Sequence, residues 1–203
     1  MAETWAGNIK TTKLGIVSGI TYGKEESGLI INGRHIEPYW MGTFTTPPLT
    51  EIERIQQLHL LDRYVDLSIR VDYVHPRYAL PYNYTAATWP LVSDPQLHGI
   101  TDLRHLTISG LQVGMTLPAG TRFTLVQDDL RCYRKVTSDV VVGSSVSQAI
   151  EVTPRIPPGI FAPGCSAVFK NPMVRMLVVP ESWDASEDIE DEPLSWDMWE
   201  SLS

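Results

Sequence analysis

Five histidines, two cysteines and a scatter of carboxylates are the side chains that could do chemistry here, and their spacing supports little of it. His35, His59, His75, His98 and His105 form no His-x-x-x-His pair, and Cys132 and Cys165 form no Cys-x-x-Cys, so no zinc-ligand spacing is present. Asp62, Asp66 and Asp72 could supply paired carboxylates, but Asp66 and Asp72 read more simply as the polar side of an alternating strand. A glycosidase pair must stand about 5 to 9.5 Å apart, which spacing in sequence does not show. Ser109 lies in SGLQVG, which is not the Gly-x-Ser-x-Gly elbow of hydrolases, and neither a phosphate loop nor a dinucleotide fingerprint occurs. The expectation is a part that is not an enzyme and needs no metal and no cofactor. Two cysteines so far apart make no disulfide framework, and they are expected as buried free thiols.

The elements that would carry these residues are mostly strands. From Leu106 to Val179 the chain reads LTISGLQVGMTLPAGTRFTLV, LRCYRKV, VVVGSSVSQAIEVTPRIPPGI and CSAVFKNPMVRMLVV. Strands recur about every ten residues, with Gly110, Gly114, Gly120 and Gly143 at turns and Asp128-Asp129 at a hairpin tip, which predicts a mainly β sandwich or barrel. Earlier in the chain, KLGIVSGITYG and SGLIINGRHIEPYW predict two or three short strands, with Asn32-Gly33 as a turn. WMGTFTT from Trp40 alternates as a strand and stops at Pro47-Pro48. One α-helix is predicted over about residues 50–63: Thr50 as N-cap with Glu53 makes a capping box, and Ile52, Ile55, Leu58 or His59, and Leu61 or Asp62 follow at helical spacing. VDLSIRVDYV then alternates as a strand.

Residues 75–101 hold four prolines and four aromatic residues without a period. This predicts a long ordered loop, because Tyr78, Tyr82, Tyr84 and Trp89 are costly to leave in water. A loop of that length is usually functional, and contact with a partner is its natural function.

Charge divides the 203-residue chain unevenly. Nine of the 24 acidic residues and none of the 16 bases fall in 181–203, leaving 15 acids against 16 bases before it. A neutral β-rich body over 1–180 and an acidic extension over 181–203 follow. No clustered basic stripe is present to neutralise phosphates, so no sequence-specific nucleic-acid binding is expected. No apolar run approaches the ~20 residues that span a bilayer, so no membrane insertion is expected. The N-terminus lacks a signal peptide's apolar core, and assembly in a cytoplasm is expected.

The acidic extension has two readings. Acidity and few β-branched residues favour a solvated, disordered terminus. Against that, Trp183, Leu194, Trp196, Met198, Trp199 and Leu202 form much apolar surface, and Pro193 can open a helix after Asp191 or Glu192 with Leu194, Met198 and Leu202 on one face. Residues 193–202 are therefore read as a short amphipathic segment that docks on a neighbour.

WMGTFTTPPLTEIERIQQLHLLDRY, VDYVHPRYALPYNY, LTISGLQVGMTLPAGTRFTLV, LRCYRKV and EVTPRIPPGIFAPGCSAVFKNPMVRMLVV follow in that order, and over residues 40–179 the chain resembles the distal-tail-type proteins of tailed bacteriophages. The matching features are the aromatic strand start at Trp40, Thr46 and Pro47 before the capped helix, and the loop around Pro81. The glycine-spaced hairpin from Gly110 to Gly120 and a final strand with Pro172, Met176 and Leu177 complete them. One departure is visible: Thr121, Arg122 and Phe123 follow Gly120, where the family usually has an aspartate and then an aromatic.

The resemblance implies a virion structural protein, a ring of six copies at the end of the tail tube that joins tube to hub, baseplate or fibres. The expected partners are copies of itself and other tail proteins, contacted through Tyr78, Tyr82, Tyr84, Trp89, Trp183, Leu194, Trp196, Met198, Trp199 and Leu202. Three other functions are kept in view. One is a carbohydrate-binding module at the tail tip that uses the aromatics of 78–89, and another is a tube or neck connector. The third is a tail-associated hydrolase, which would require a cleft with perturbed carboxylates.

Overall fold

Alternating side chains set up two hydrophobic cores, one under an open sheet and one inside a barrel. The computed structural model describes residues 2–4, 9–24, 30–66, 68–145, 147–183 and 192–202. The first half contains β1 (Ala2–Thr4), β2 (Thr11–Lys24), β3 (Ile30–Pro48), α1 (Glu51–Asp66), β4 (Arg70–Val74), a 3-10 turn (Pro76–Tyr78), β5 (Gln96–Ile100) and β6 (His105–Ser109). The second half contains β7 (Thr116–Leu117), β8 (Arg122–Gln127), β9 (Leu130–Val136), β10 (Val140–Val141), β11 (Ser147–Thr153), β12 (Ser166–Val168), β13 (Met173–Val178) and β14 (Pro193–Glu200). The chain is mainly β, with one α-helix among the described residues.

The open sheet has the order β1-β4-β13-β14-β3-β2. Period-two alternation gives it one apolar face, because successive side chains in a strand point to opposite sides. Trp40 and Phe44 on β3, Val71 and Tyr73 on β4, Val174, Met176 and Val178 on β13, and Leu194, Trp196 and Met198 on β14 are all buried in one cluster. Leu58, Leu61 and Tyr64 of α1 belong to the same cluster, and the helix packs over β13.

The helix begins as its cap predicts. The Thr50 backbone amide and hydroxyl both donate to Glu53 Oε2, at 3.0 and 2.8 Å. It runs to Asp66 rather than ending by Tyr64, so Asp66 is a helix residue and not part of a strand. Its buried stripe is Arg54, Gln57, Leu58, Leu61 and Tyr64, while Ile52 is 70% exposed. The apolar count had placed Ile52 inward, but α1 lies on the sheet through the face three and four residues along from Arg54.

The second core fills a closed barrel of order β11-β6-β5-β12-β8-β9. Leu97, Leu106, Ile108, Phe123, Leu125, Val136, Ile150 and Val152 point into it, and Phe123 stacks on Phe169 at 4.9 Å. The β8–β9 hairpin turns at Asp128, whose φ is +51°. Gly110, Gly114 and Gly120 all have positive φ, as turns built on glycine require. Cys132 and Cys165 are free and buried in this core. Burial pushes the Cys132 thiol up to about 12 and the Cys165 thiol to about 11, so both stay protonated.

Three parts of the sequence reading are corrected. The segment before Trp40 forms two long strands rather than two or three short ones. Asn32 and Gly33 sit inside β3, paired with Tyr22 and Thr21, so they are not its turn. Residues 25–29, between the paired ends Lys24 and Ile30, lie outside the described residues. The long loop is shortened at its end, because Gln96–Ile100 is a barrel strand.

The third correction is the largest. Pro193–Glu200 is a strand, not a helix, and it lies between β13 and β3 inside the sheet. Leu194, Trp196 and Met198 alternate with Ser195, Asp197 and Trp199, and an open slot in a sheet selects that period over the helical one. Residues 193–202 therefore belong to the body rather than to an extension, while the acidic run 184–191 lies outside the described residues.

Candidate functional site

Of the ten residues expected to meet a partner, the fold turns most inward. Leu194, Trp196 and Met198 are buried in the sheet core, and Trp183 packs against its margin. Leu202 packs on the barrel core, and its carbonyl accepts from the Arg131 amide at 2.8 Å. The Tyr84 hydroxyl accepts from the Thr116 amide at 2.9 Å, and its ring meets Trp89 edge-on at 5.5 Å, both against the barrel core. Tyr78 is half-buried. Tyr82, at 79% exposure, and Trp199, at 40%, remain outside.

The expected chemical residues are not brought together. Asp62 and Asp66 are exposed on α1, and Asp72 is paired with Arg175. His59 and His98 are exposed, and His105 pairs with Asp102 at 2.8 Å. The Ser109 hydroxyl donates to the Gln96 carbonyl at 3.3 Å. Among the described residues no three His, Cys, Asp or Glu side chains gather in a way that could hold a metal ion.

The polar chemistry of this molecule lies instead where sheet meets barrel. Glu200, at the end of β14, accepts from Arg134 Nη1 at 2.9 Å and from the amides of Tyr133 and Trp40, each at 3.2 Å. Both side chains of the pair are almost fully buried. The Trp40 indole donates to the Tyr133 carbonyl at 2.8 Å, and the two rings meet edge-on at 5.3 Å. Arg175 of β13 makes a second tie: Nε and Nη2 fork onto the Asp72 carboxylate at 2.9 and 3.0 Å, and Nη1 reaches the Asp129 carboxylate at 2.8 Å and its carbonyl. Asp129 sits at the β8–β9 tip, so this guanidinium links sheet to barrel. Its hydrogen bond to Arg175 holds the Asp129 carboxyl below the usual aspartate range.

A third arginine at the same joint is treated differently. Arg122, the first residue of β8, is 8% exposed, and no carboxylate among the described residues pairs with it. Its Cζ lies 3.7 Å from the Tyr78 ring centre and 4.6 Å from that of Trp40. Nη1 donates weakly to the Tyr133 hydroxyl at 3.4 Å, and Nε is buried without a partner. Burial raises the Tyr133 hydroxyl to about 12, so that partner is neutral and offsets no charge.

Arg122 lines a surface cleft of about 280 Å³ together with Arg77, Tyr78, Pro81, Tyr82 and Thr121. The Pro118–Thr121 turn shapes one wall through Gly120, whose φ is +91°, and Thr121 is buried with its hydroxyl unpartnered. On the other wall the His75 ring leans on Tyr78 at 4.7 Å, and its Nδ1 accepts from the Arg77 amide at 3.2 Å. Burial, then repulsion from Arg122 and Arg77, lowers the His75 pKa from its ordinary 6.5.

Thr121 and Arg122 were not among the residues singled out by sequence. They entered the sequence reading only as the place where this chain departs from the hairpin pattern it resembles. No known protein family's sequence model matches the chain, and no curated protein matches it in sequence.

Proposed function

We propose that this chain is a structural subunit of a bacteriophage tail, a ring protein at the distal end of the tail tube that joins tube to hub, baseplate or fibres. The observation that carries this reading is the β2–β3 ribbon. β14 covers β3 only from Met41 to Pro48, while β2 stays paired with β3 as far as Ile30. The outer part of the ribbon is thus two-stranded among the described residues, and such ribbons are marginal alone in water.

Strand β2 is also a sheet edge, with no strand on its outer side among the described residues. Leu14, Ile16 and Met41 line a shallow groove of about 390 Å³ there, guarded by Lys13. A long unpaired edge is an aggregation hazard unless another chain covers it, and a ring does so at every copy. The resemblance over residues 40–179 supports the same reading and supplies the copy number of six. Neighbouring copies and other tail proteins are the partners, and the virion is the location.

Native mass spectrometry and negative-stain imaging of the full chain, alone and mixed with other tail proteins of the same phage, test this. A closed ring is the expected result. A stable monomer that joins none of them would overturn it.

A further inference from the structure

We infer that the Arg122 cleft is a socket for a carboxylate side chain, an aspartate or glutamate carried on a second polypeptide. A buried cation without a counter-charge is costly, and buried arginines are ordinarily paired. Arg134 and Arg175 obey that rule in this molecule, each with a carboxylate within 3 Å. Arg175 shows the geometry in detail, with its Nε–Nη2 edge forked on the two oxygens of Asp72. In Arg122 that same edge carries no hydrogen bond, its one bond being made by Nη1; Nε is closed off from solvent, as it is in Arg134, so the Nη2 end is what the cleft can reach.

The surroundings hold the guanidinium in place and leave that edge unused. Tyr78 and Trp40 supply ring faces, which attract a cation yet cannot accept in the plane of the guanidinium. A charge-assisted hydrogen bond from Nη2 to a carboxylate is the strong interaction left to such a group. Arg77 adds positive charge at the rim. Among the described residues no acid lines the cleft, and Asp139, which touches the lining, already accepts from the Ala119 amide at 2.7 Å.

Size argues for a carboxylate that arrives on a chain. The cleft of about 280 Å³ compares with roughly 10–15 Å³ for a single water, so a lone carboxylate group would leave most of it empty. Leu80, Pro81 and Ala119 give it apolar walls, and the exposed ring of Tyr82 extends them outward. These surfaces fit the stem and neighbouring residues of an acidic side chain. A phosphate would present more oxygens than the Nη2 end of one arginine satisfies.

The test reads the arginine Nε–H signals of the full chain by 15N NMR, with that of Arg122 identified by its loss in Arg122→Lys. Four probes are titrated: acetyl-Gly-Glu-Gly-amide, its Gln counterpart, acetate and inorganic phosphate. The Glu peptide is expected to move the Arg122 signal saturably, with the Gln peptide at least tenfold weaker and acetate weaker than the Glu peptide. No movement with the Glu peptide, or equal movement with Gln, overturns the socket. Acetate as strong as the peptide overturns the polypeptide occupant, and phosphate binding tighter than either overturns the carboxylate class. Should Arg122→Lys fold poorly, the signal is identified in the unaltered protein by its through-space contacts with the Tyr78 and Trp40 rings.

Discussion

Glu200 and Arg122 both bury their charge where the sheet meets the barrel, yet Glu200 accepts from Arg134 and two backbone amides while Arg122 meets rings and one neutral hydroxyl. The first arrangement ties β14, β3 and β9 together and saturates both Glu200 oxygens, although Arg134 Nε stays buried without a partner. The second holds a cation beside a cleft. A buried charge matched by an opposite charge serves the fold, and one met only by rings and a neutral hydroxyl calls for another explanation.

Breaking the saturated side should cost most. Glu200→Ala strands the buried Arg134 guanidinium and frees two amides, and a loss of about 3–5 kcal/mol is expected from urea unfolding. A loss below 1 kcal/mol would mean that the network does not hold sheet to barrel.

The open side should respond weakly in the unbound protein. Arg122→Met removes a desolvated, unpaired cation and with it ring contacts worth ~0.5–2 kcal/mol, so the two changes oppose. Stability within about 1 kcal/mol of the parent is expected. A loss matching that of Glu200→Ala would show that Arg122 is as structural as Arg134 and erase the contrast.

The smallest effect concerns pH. The folded-state pKa of His75 lies below its ordinary 6.5, so the unfolded chain binds the proton more readily. The stability that neutral His75 contributes is present above about pH 6.5 and declines as pH falls through the folded-state value. His75→Gln should flatten the thermal-stability profile just below about pH 6.5, and an unchanged slope would place the titration elsewhere.

The local signals were legible because local atoms satisfy them. The Thr50–Glu53 box closes within four residues, the Asp128 tip closes β8 on β9, and Gly110, Gly114 and Gly120 take the positive φ their turns need. Where several partners could satisfy the same residues, local reading went astray. Asn32-Gly33 has the chemistry of a turn, but the β2–β3 register runs through it. Leu194, Met198 and Leu202 share a helical face, while Leu194, Trp196 and Met198 share a strand face, and both patterns are written in the same residues.

The candidate site was less legible than the fold. Tyr78 and Tyr82 of the aromatic loop line the cleft. Arg122 was invisible because its meaning depends on what fails to approach it, and an unmet hydrogen-bonding edge has no sequence pattern.

By itself the sequence determined strand content, the capped α-helix and most of the turns, since each follows from periods and contacts within a few residues, while the buried thiols follow from cysteine's small apolar character. Tertiary structure alone decided that 193–200 fills a slot between β13 and β3, that Arg54 rather than Ile52 faces inward, and that Arg122 meets no acid among the described residues. Those outcomes depend on which distant surfaces meet, and burial makes the meeting consequential: a charge or a tryptophan removed from water must be matched by whatever lies opposite it.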